Sequence, residues 1–164
     1  MKRIIASLLI LLVVVFVCVA CGSATKQNEG GVGDTITDDD KLFFTLTSVE
    51  EYVDNVDDLI TDEPEAGHMY VVLNITAENK GSSDDYINPF YYEAYCDDVS
   101  VDTGDIDPLL YSYKGKSLSG DIAAGKKTIG TVVLHVDEDW ETIDFIYDDF
   151  GDKVTFTINR SDLD

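Results

Sequence analysis

Residues 67–81 decide the predicted fold, and their sequence is GHMYVVLNITAENKG. Apolar side chains alternate with mostly polar ones through this stretch, which is the period-two pattern of a strand buried on one side. The predicted buried face carries Met69, Val71, Leu73, Ile75 and Ala77. Asn79, Lys80 and Gly81 then favour a turn, because Asn and Gly tolerate positive φ. We therefore expect this strand at the centre of a β-sandwich.

Shorter strand patterns lie on both sides of this central stretch. Alternation predicts strands at residues 32–37, 42–49, 86–96, 99–103, 128–136, 143–148 and 154–159. Turn residues separate them, and no helix-period segment of real length interrupts them. Trp140, in a predicted loop, is expected to pack its ring on the sandwich edge. About seven or eight short strands spaced in this way predict an all-β sandwich.

The composition indicates one strongly acidic globular domain. The chain has 164 residues and is 45% hydrophobic, which is enough for a single core. Its 33 acidic and 11 basic residues give a net charge of −22. Removal of Lys2 and Arg3 with a leader would leave nine basic residues, and a net charge of −24. Such a surface repels nucleic acid and anionic lipid headgroups, and it attracts cations and basic partners.

Residues 1–20 have the pattern of a secretion signal, with Lys2 and Arg3 before an apolar run at residues 4–19. The following Cys21 stands in a sequence, VACG at residues 19–22, that resembles a bacterial lipobox. That resemblance implies a diacylglyceryl group on Cys21 and an extracytoplasmic protein anchored to the cell membrane, for which two acyl chains suffice. Cys18 occupies a position where the motif usually has an aliphatic residue, so an uncleaved leader is the alternative anchor.

The chain is predicted to divide into three parts. Residues 1–20 are the signal peptide, residues 21–31 are the lipidated cysteine with a flexible tether, and residues 32–164 are the sandwich domain. The tether lacks an apolar pattern and is rich in Gly, Ser, Thr, Gln and Asn. Cys96 then has no disulfide partner, and with Asp97 and Asp98 beside it we expect a buried, unreactive thiol.

Several motifs resemble a family of Gram-positive lipoproteins of unknown function. They are Gly67, residues 70–76, residues 79–81, residues 124–126, Gly130 with its following strand, and residues 154–156. That family, sometimes mislabelled after a telomeric repeat-binding factor, carries one immunoglobulin-like domain after a lipobox and tether. The resemblance covers about residues 32–158 and extends to the fold of a small secreted mycobacterial antigen. It implies an immunoglobulin-like sandwich, an extracytoplasmic location and no known catalytic residues.

Acidic residues cluster in several predicted loops, and the best local set is Asp102, Asp105 and Asp107. Calcium binds six to eight oxygens on flexible backbone, which such a loop can supply. The set lacks the residue order of an EF-hand, so a solvated acidic loop is the other interpretation. The sequence predicts no cofactor other than calcium, whose binding would make the protein a cation-binding surface domain as an alternative function. Zinc is not expected, because His68 and His135 are the only histidines and no cysteine pair accompanies them.

The sequence predicts no enzyme activity and no catalytic residue. Nucleophilic catalysis needs a base held near a serine or cysteine, and the Gly-x-Ser-x-Gly motif is absent.

Tyrosines offer a different chemistry, since exposed tyrosines recognise sugars and proteins. The candidate binding residues are Tyr91, Tyr95, Tyr111 and Tyr113, unless they only cover the core edge. The predicted function is a binding or accessory module at the cell envelope, with a basic envelope protein or a glycan as partner.

Overall fold

The computed structural model describes residues 28–38, 40–52, 64–101, 103, 116–150 and 153–163. These residues form the short 3-10 helices Pro89–Tyr91 and Arg160–Asp162 together with eleven strands. The strands are β1 (Glu29–Gly30), β2 (Thr35–Asp38), β3 (Leu42–Glu51), β4 (His68–Asn79), β5 (Asp85–Ile87), β6 (Tyr92–Cys96), β7 (Val99–Val101), β8 (Gly120–Ile122), β9 (Lys127–Asp137), β10 (Thr142–Tyr147) and β11 (Val154–Asn159). Within those ranges no helix has the length and apolar character that crossing a bilayer requires.

The strands form two main sheets. One has the order β1-β11-β10-β6-β7 and the other β2-β3-β4-β9, while β5 and β8 pair as a small ribbon. The chain passes from β4 to β6 in the opposite sheet, returns for β9, and crosses again to β10 and β11. This alternation between sheets is the Greek-key connection of immunoglobulin-like sandwiches. The predicted all-β sandwich is confirmed, and the strands beyond the predicted seven or eight are two or three residues long.

The core lies between the two sheets and is built on β4, which pairs with β3 on one side and β9 on the other. The predicted inward face is confirmed: Met69 is 6% exposed and Val71, Leu73, Ile75 and Ala77 are fully buried. Across the core, the Phe44 ring of β3 meets the Tyr147 ring of β10 with centroids 5.0 Å apart. Full burial of each large apolar side chain contributes roughly 1.5–3 kcal/mol to the stability of the folded state. The inward-facing side chains of β4 therefore stabilise the packing of the two sheets.

Two further side chains lie where the sequence predicts them. Trp140 is buried at the sandwich edge, and the Arg160 guanidinium covers its ring at 5.1 Å from the centroid. Cys96 is buried and free. Burial, followed by the nearby Asp97 carboxylate, raises the pKa of its thiol, so the thiolate is disfavoured.

The turn after β4 forms for a different reason from the one predicted. The strand ends at Asn79 as expected, but none of Asn79, Lys80 and Gly81 has a positive φ. Asn79 is instead fully buried, and its side-chain oxygen accepts from the Gly81 backbone N–H at 2.8 Å. The amide side chain thus ends the strand by hydrogen bonding, with no left-handed backbone.

Two predicted boundaries are wrong. The expected strand at residues 86–96 is broken by the 3-10 helix, because Pro89 has no N–H to donate and the Asn88 side chain accepts from the Phe90 N–H at 3.1 Å. The folded domain also begins before residue 32. Glu29–Gly30 form β1, in parallel register with Thr155 and Phe156, so the last residues of the predicted tether belong to the sandwich.

Candidate functional site

Most of the predicted site residues lie outside the described ranges: Cys21, Asp102, Asp105, Asp107, Tyr111 and Tyr113. The signal peptide at residues 1–20 lies outside them too, so lipidation and the calcium loop stay predictions. In the ranges that the structure covers, no group of three or more His, Cys, Asp or Glu side chains could hold a metal ion. Tyr91 and Tyr95 are both described, and both are half-buried.

Tyr91 lies at one end of the sandwich, where the 3-10 helix precedes β6. Its backbone N–H donates to the Asn88 carbonyl at 3.0 Å, and its carbonyl accepts from the Asp148 N–H at 3.0 Å. The ring packs against Tyr147, with centroids 6.4 Å apart, and edge-on against Phe150 at 5.3 Å. Tyr91 therefore covers the edge of the core and also supports an exposed ring above it.

Two phenylalanines that the sequence did not single out project at this end. Phe90 is 93% exposed and Phe150 is 89% exposed. Phe150 has φ of 73°, a left-handed conformation that is a genuine outlier for a bulky residue and costs on the order of 1–3 kcal/mol. We call Phe90, Tyr91 and Phe150 the aromatic end. The Asn88-Pro89 pair was the available signal, because it interrupts the strand predicted at residues 86–96.

The charges beside the aromatic end are mainly negative. Asp148 and Asp149 precede Phe150 in the chain, and the Lys153 ammonium lies 2.9 Å from the Asp148 carboxylate. The hydrogen bond between them lowers the pKa of Asp148 and raises that of Lys153, so both stay charged near neutral pH. The rings are thus exposed in an acidic setting that contains one ammonium.

Tyr95 lies elsewhere, on the outer face of the five-stranded sheet. It pairs with Asp144 of β10 on one side and Ser100 of β7 on the other. It lines an open groove of about 540 Å³ together with Glu93, Ser100 and Thr103. The structure therefore separates Tyr91 and Tyr95, and only Tyr91 joins the aromatic end.

Solved structures with the same fold come from species of Bacillus. A candidate lipoprotein from Bacillus subtilis, ycdA, is 22% identical with a TM-score of 0.58, and the match covers 75% of this chain but only 38% of ycdA. The B. subtilis yjhA protein is 17% identical with a TM-score of 0.59, over 79% of this chain and 99% of yjhA. A conserved hypothetical protein from Bacillus anthracis is 12% identical with a TM-score of 0.52, over 76% and 94% of the two chains.

At these identities the likeness shows a shared fold and nothing finer. No curated protein matches the sequence. The model of a domain of unknown function, DUF4352, matches residues 30–156, which is more than half of the chain. The match agrees with the lipoprotein family of unknown function that the strand and turn motifs resemble. This chain belongs to the DUF4352 family.

Proposed function

We propose that this protein is a lipid-anchored, non-catalytic binding module of the cell envelope, which docks a basic protein partner at its aromatic end. The lipobox-like sequence before Cys21 and the fold shared with a candidate lipoprotein support the anchor. The observation that carries the docking surface is the exposure of Phe90 and Phe150, at 93% and 89%. Two hydrophobic rings held in solvent, one of them on the strained backbone of Phe150, suit a surface that a partner covers.

Burial of the exposed rings by a partner would supply binding free energy. Covering one phenylalanine side chain contributes roughly 1.5–3 kcal/mol, and aromatic residues are enriched in the cores of protein interfaces. Phe150 in addition maintains a left-handed φ while its ring is solvated. Tyr91 fixes the Phe150 ring edge-on at 5.3 Å, so less side-chain entropy remains to be lost on binding.

The negative charges beside Phe150 favour a basic partner. Asp148 and Asp149 adjoin Phe150, and the whole chain carries a net charge of −22. A basic partner with an apolar pocket is attracted to this end, and anionic lipid or nucleic acid is repelled. Calcium at Asp102, Asp105 and Asp107 remains the alternative predicted from the sequence.

The docking surface can be tested with a photo-crosslinking amino acid at position 90 in intact cells. Ile129 is the matched control, because it is also an exposed apolar residue but lies on β9 of the other sheet. We expect a basic protein crosslinked from position 90 and not from position 129. The purified partner should then bind the full chain with an affinity that falls as ionic strength rises. Crosslinking to glycan or lipid alone, or equal capture from both positions, would overturn the proposal.

Phe150→Gly separates binding from folding. Glycine adopts a φ of 73° without strain, so this variant should be at least as stable as the wild type. Its affinity for the partner should nevertheless fall by at least tenfold, since one exposed ring is lost. Unchanged affinity would exclude Phe150 from the interface.

The anchor has its own test, independent of the partner. Mass spectrometry of the membrane-extracted protein should show diacylglyceryl on Cys21, and Cys21→Ser should change its membrane association. An unmodified Cys21 at the membrane would favour the uncleaved leader.

A further inference from the structure

The only two histidines of the chain meet on the outer face of the four-stranded sheet. His68 begins β4, and His135 lies near the end of β9. The register sets Tyr70 opposite His135 and Asp137 opposite His68, so the two histidines are diagonal neighbours across one strand pair. Their ring centroids are 4.8 Å apart with an interplanar angle of 31°.

One nitrogen of each ring is buried without a partner. These atoms are Nδ1 of His68 and Nε2 of His135, and neither has a hydrogen bond. Buried polar atoms are paired in the large majority of cases, so two orphan nitrogens in one cluster require an explanation. A bound cation is one, because a neutral imidazole nitrogen with a free lone pair is a metal ligand.

The other nitrogen of His68 strengthens this interpretation. His68 Nε2 lies 3.1 Å from the Asp137 carboxylate, which accepts its hydrogen. That contact leaves the lone pair on Nδ1. A carboxylate behind an imidazole is the usual second partner of a histidine that binds metal.

The spacing of the rings also fits one ion. Two imidazoles bound at about 2.0–2.1 Å around a tetrahedral centre have centroids about 5 Å apart. The observed separation is 4.8 Å, and the Tyr70 ring packs against His135 with centroids 5.1 Å apart. The acidic surface raises the local concentration of cations.

We infer that His68 Nδ1 and His135 Nε2 bind one divalent transition-metal ion of the class that prefers imidazole, such as Zn²⁺, Cu²⁺ or Ni²⁺. Asp137 acts as the positioning residue. No third side chain of the described residues completes the site, so water or an exchangeable ligand fills the remaining positions. The sequence did not predict zinc, because no cysteine pair accompanies the histidines. The β4–β9 register brings the two histidines together.

The inference is tested with the full chain, purified without a histidine tag and titrated with Zn²⁺ and Cu²⁺ by calorimetry and visible absorption. We expect one ion per chain and a d–d band with Cu²⁺. His68→Gln and His135→Gln should each weaken binding by at least tenfold. Asp137→Asn should weaken it by tenfold or more, while Asp139→Asn, which removes the same charge two residues further along the chain, should not.

Each variant is first melted without metal, so a folding defect is recognised before binding is compared. Binding of equal strength in the wild type and the two histidine variants would reveal adventitious ions on the acidic surface and overturn the inference. No binding by the wild type would do the same. A pH-dependent change in stability that needs both histidines, without metal binding, would show that the pair takes up protons instead.

Discussion

Asn79 and Ile122 are joined by a hydrogen bond of 2.9 Å from the Asn79 side-chain amide to the Ile122 carbonyl. The same amide donates to the Ser83 carbonyl at 2.9 Å, and the side-chain oxygen accepts from Gly81. The backbone of Asn79 adds bonds to Lys126 and Gly125. This fully buried residue therefore joins the end of the central strand to the β8–β9 turn.

Asn79→Ala should destabilise the domain by about 3 kcal/mol, because three side-chain bonds are lost and the Ile122 carbonyl is left buried without this donor. The measurement is the urea midpoint at unchanged slope. Ser83→Ala is the control and should stay within about 0.5 kcal/mol, since Ser83 contributes only its backbone carbonyl to Asn79. A midpoint for Asn79→Ala equal to that of the control would contradict the assignment.

Gly130→Ala should separate the segment around Leu118 from the edge of β9. An added Cβ would lie 2.5 Å from Leu118 Cα, closer than real contacts allow. The backbone bond from Leu118 N–H to the Thr131 carbonyl, 3.1 Å, must then lengthen or break. We expect a loss of about 1–3 kcal/mol in the free energy of unfolding.

Gly31→Ala is the matched control for that substitution, because its Cβ would meet only the Thr157 carbonyl at an ordinary 3.5 Å. Its thermal midpoint should stay near that of the wild type. Equal losses in the two variants would mean that crowding at Leu118 has no particular role.

Tyr92 should make the domain sensitive to alkali. Its buried hydroxyl donates to the Leu118 carbonyl, and burial, with a smaller effect from Tyr147, raises the pKa of Tyr92 far above its ordinary value. Below about pH 10 the phenol is neutral in both states, so this contribution to stability is complete. Above pH 10 the unfolded chain loses the proton and the folded chain keeps it, so stability falls by up to about 1.4 kcal/mol per pH unit.

Urea midpoints between pH 8 and pH 11 measure this effect. Tyr92→Phe should reduce stability by about 1 kcal/mol at pH 8, through the lost hydrogen bond, and should show a shallower alkaline decline. Identical alkaline slopes in the two proteins would mean that another group is responsible.

The calcium hypothesis makes its own prediction for Asp102, Asp105 and Asp107. A ligand that binds only the native state raises its stability, so millimolar calcium should raise the melting temperature of the wild type. Replacing all three by Asn should abolish that rise, while magnesium at equal concentration controls for charge screening. A wild-type melting temperature that calcium leaves unchanged rejects this function.

The core strands could be predicted because alternation is a property of consecutive residues. Met69 to Ala77 on β4, and Ile143, Phe145 and Tyr147 on β10, face inward as their spacing predicts. The prediction of one strand at residues 86–96 is wrong, because a local feature overrides the alternating pattern. Pro89 and the Asn88 side chain interrupt the strand, and Phe90 projects into solvent.

The sequence predicted only part of the candidate site. Tyr91 was singled out for its residue type, but its contact with Phe150 depends on two distant loops that meet at one end of the sandwich. The same holds for Asn79, which residue type alone marks as a turn former. Its buried bond to Ile122 exists only once β8 has returned to the end of β4.

The sequence by itself determined the all-β class, the inward face of each long strand and the acidic character, since these depend on composition and on neighbouring residues. Tertiary structure alone decided the sheet order, the β4–β9 register that joins His68 to His135, and the exposure of Phe90 and Phe150. The physical reason is that register and sheet order minimise the free energy of contacts between residues far apart in the chain, which no local pattern encodes.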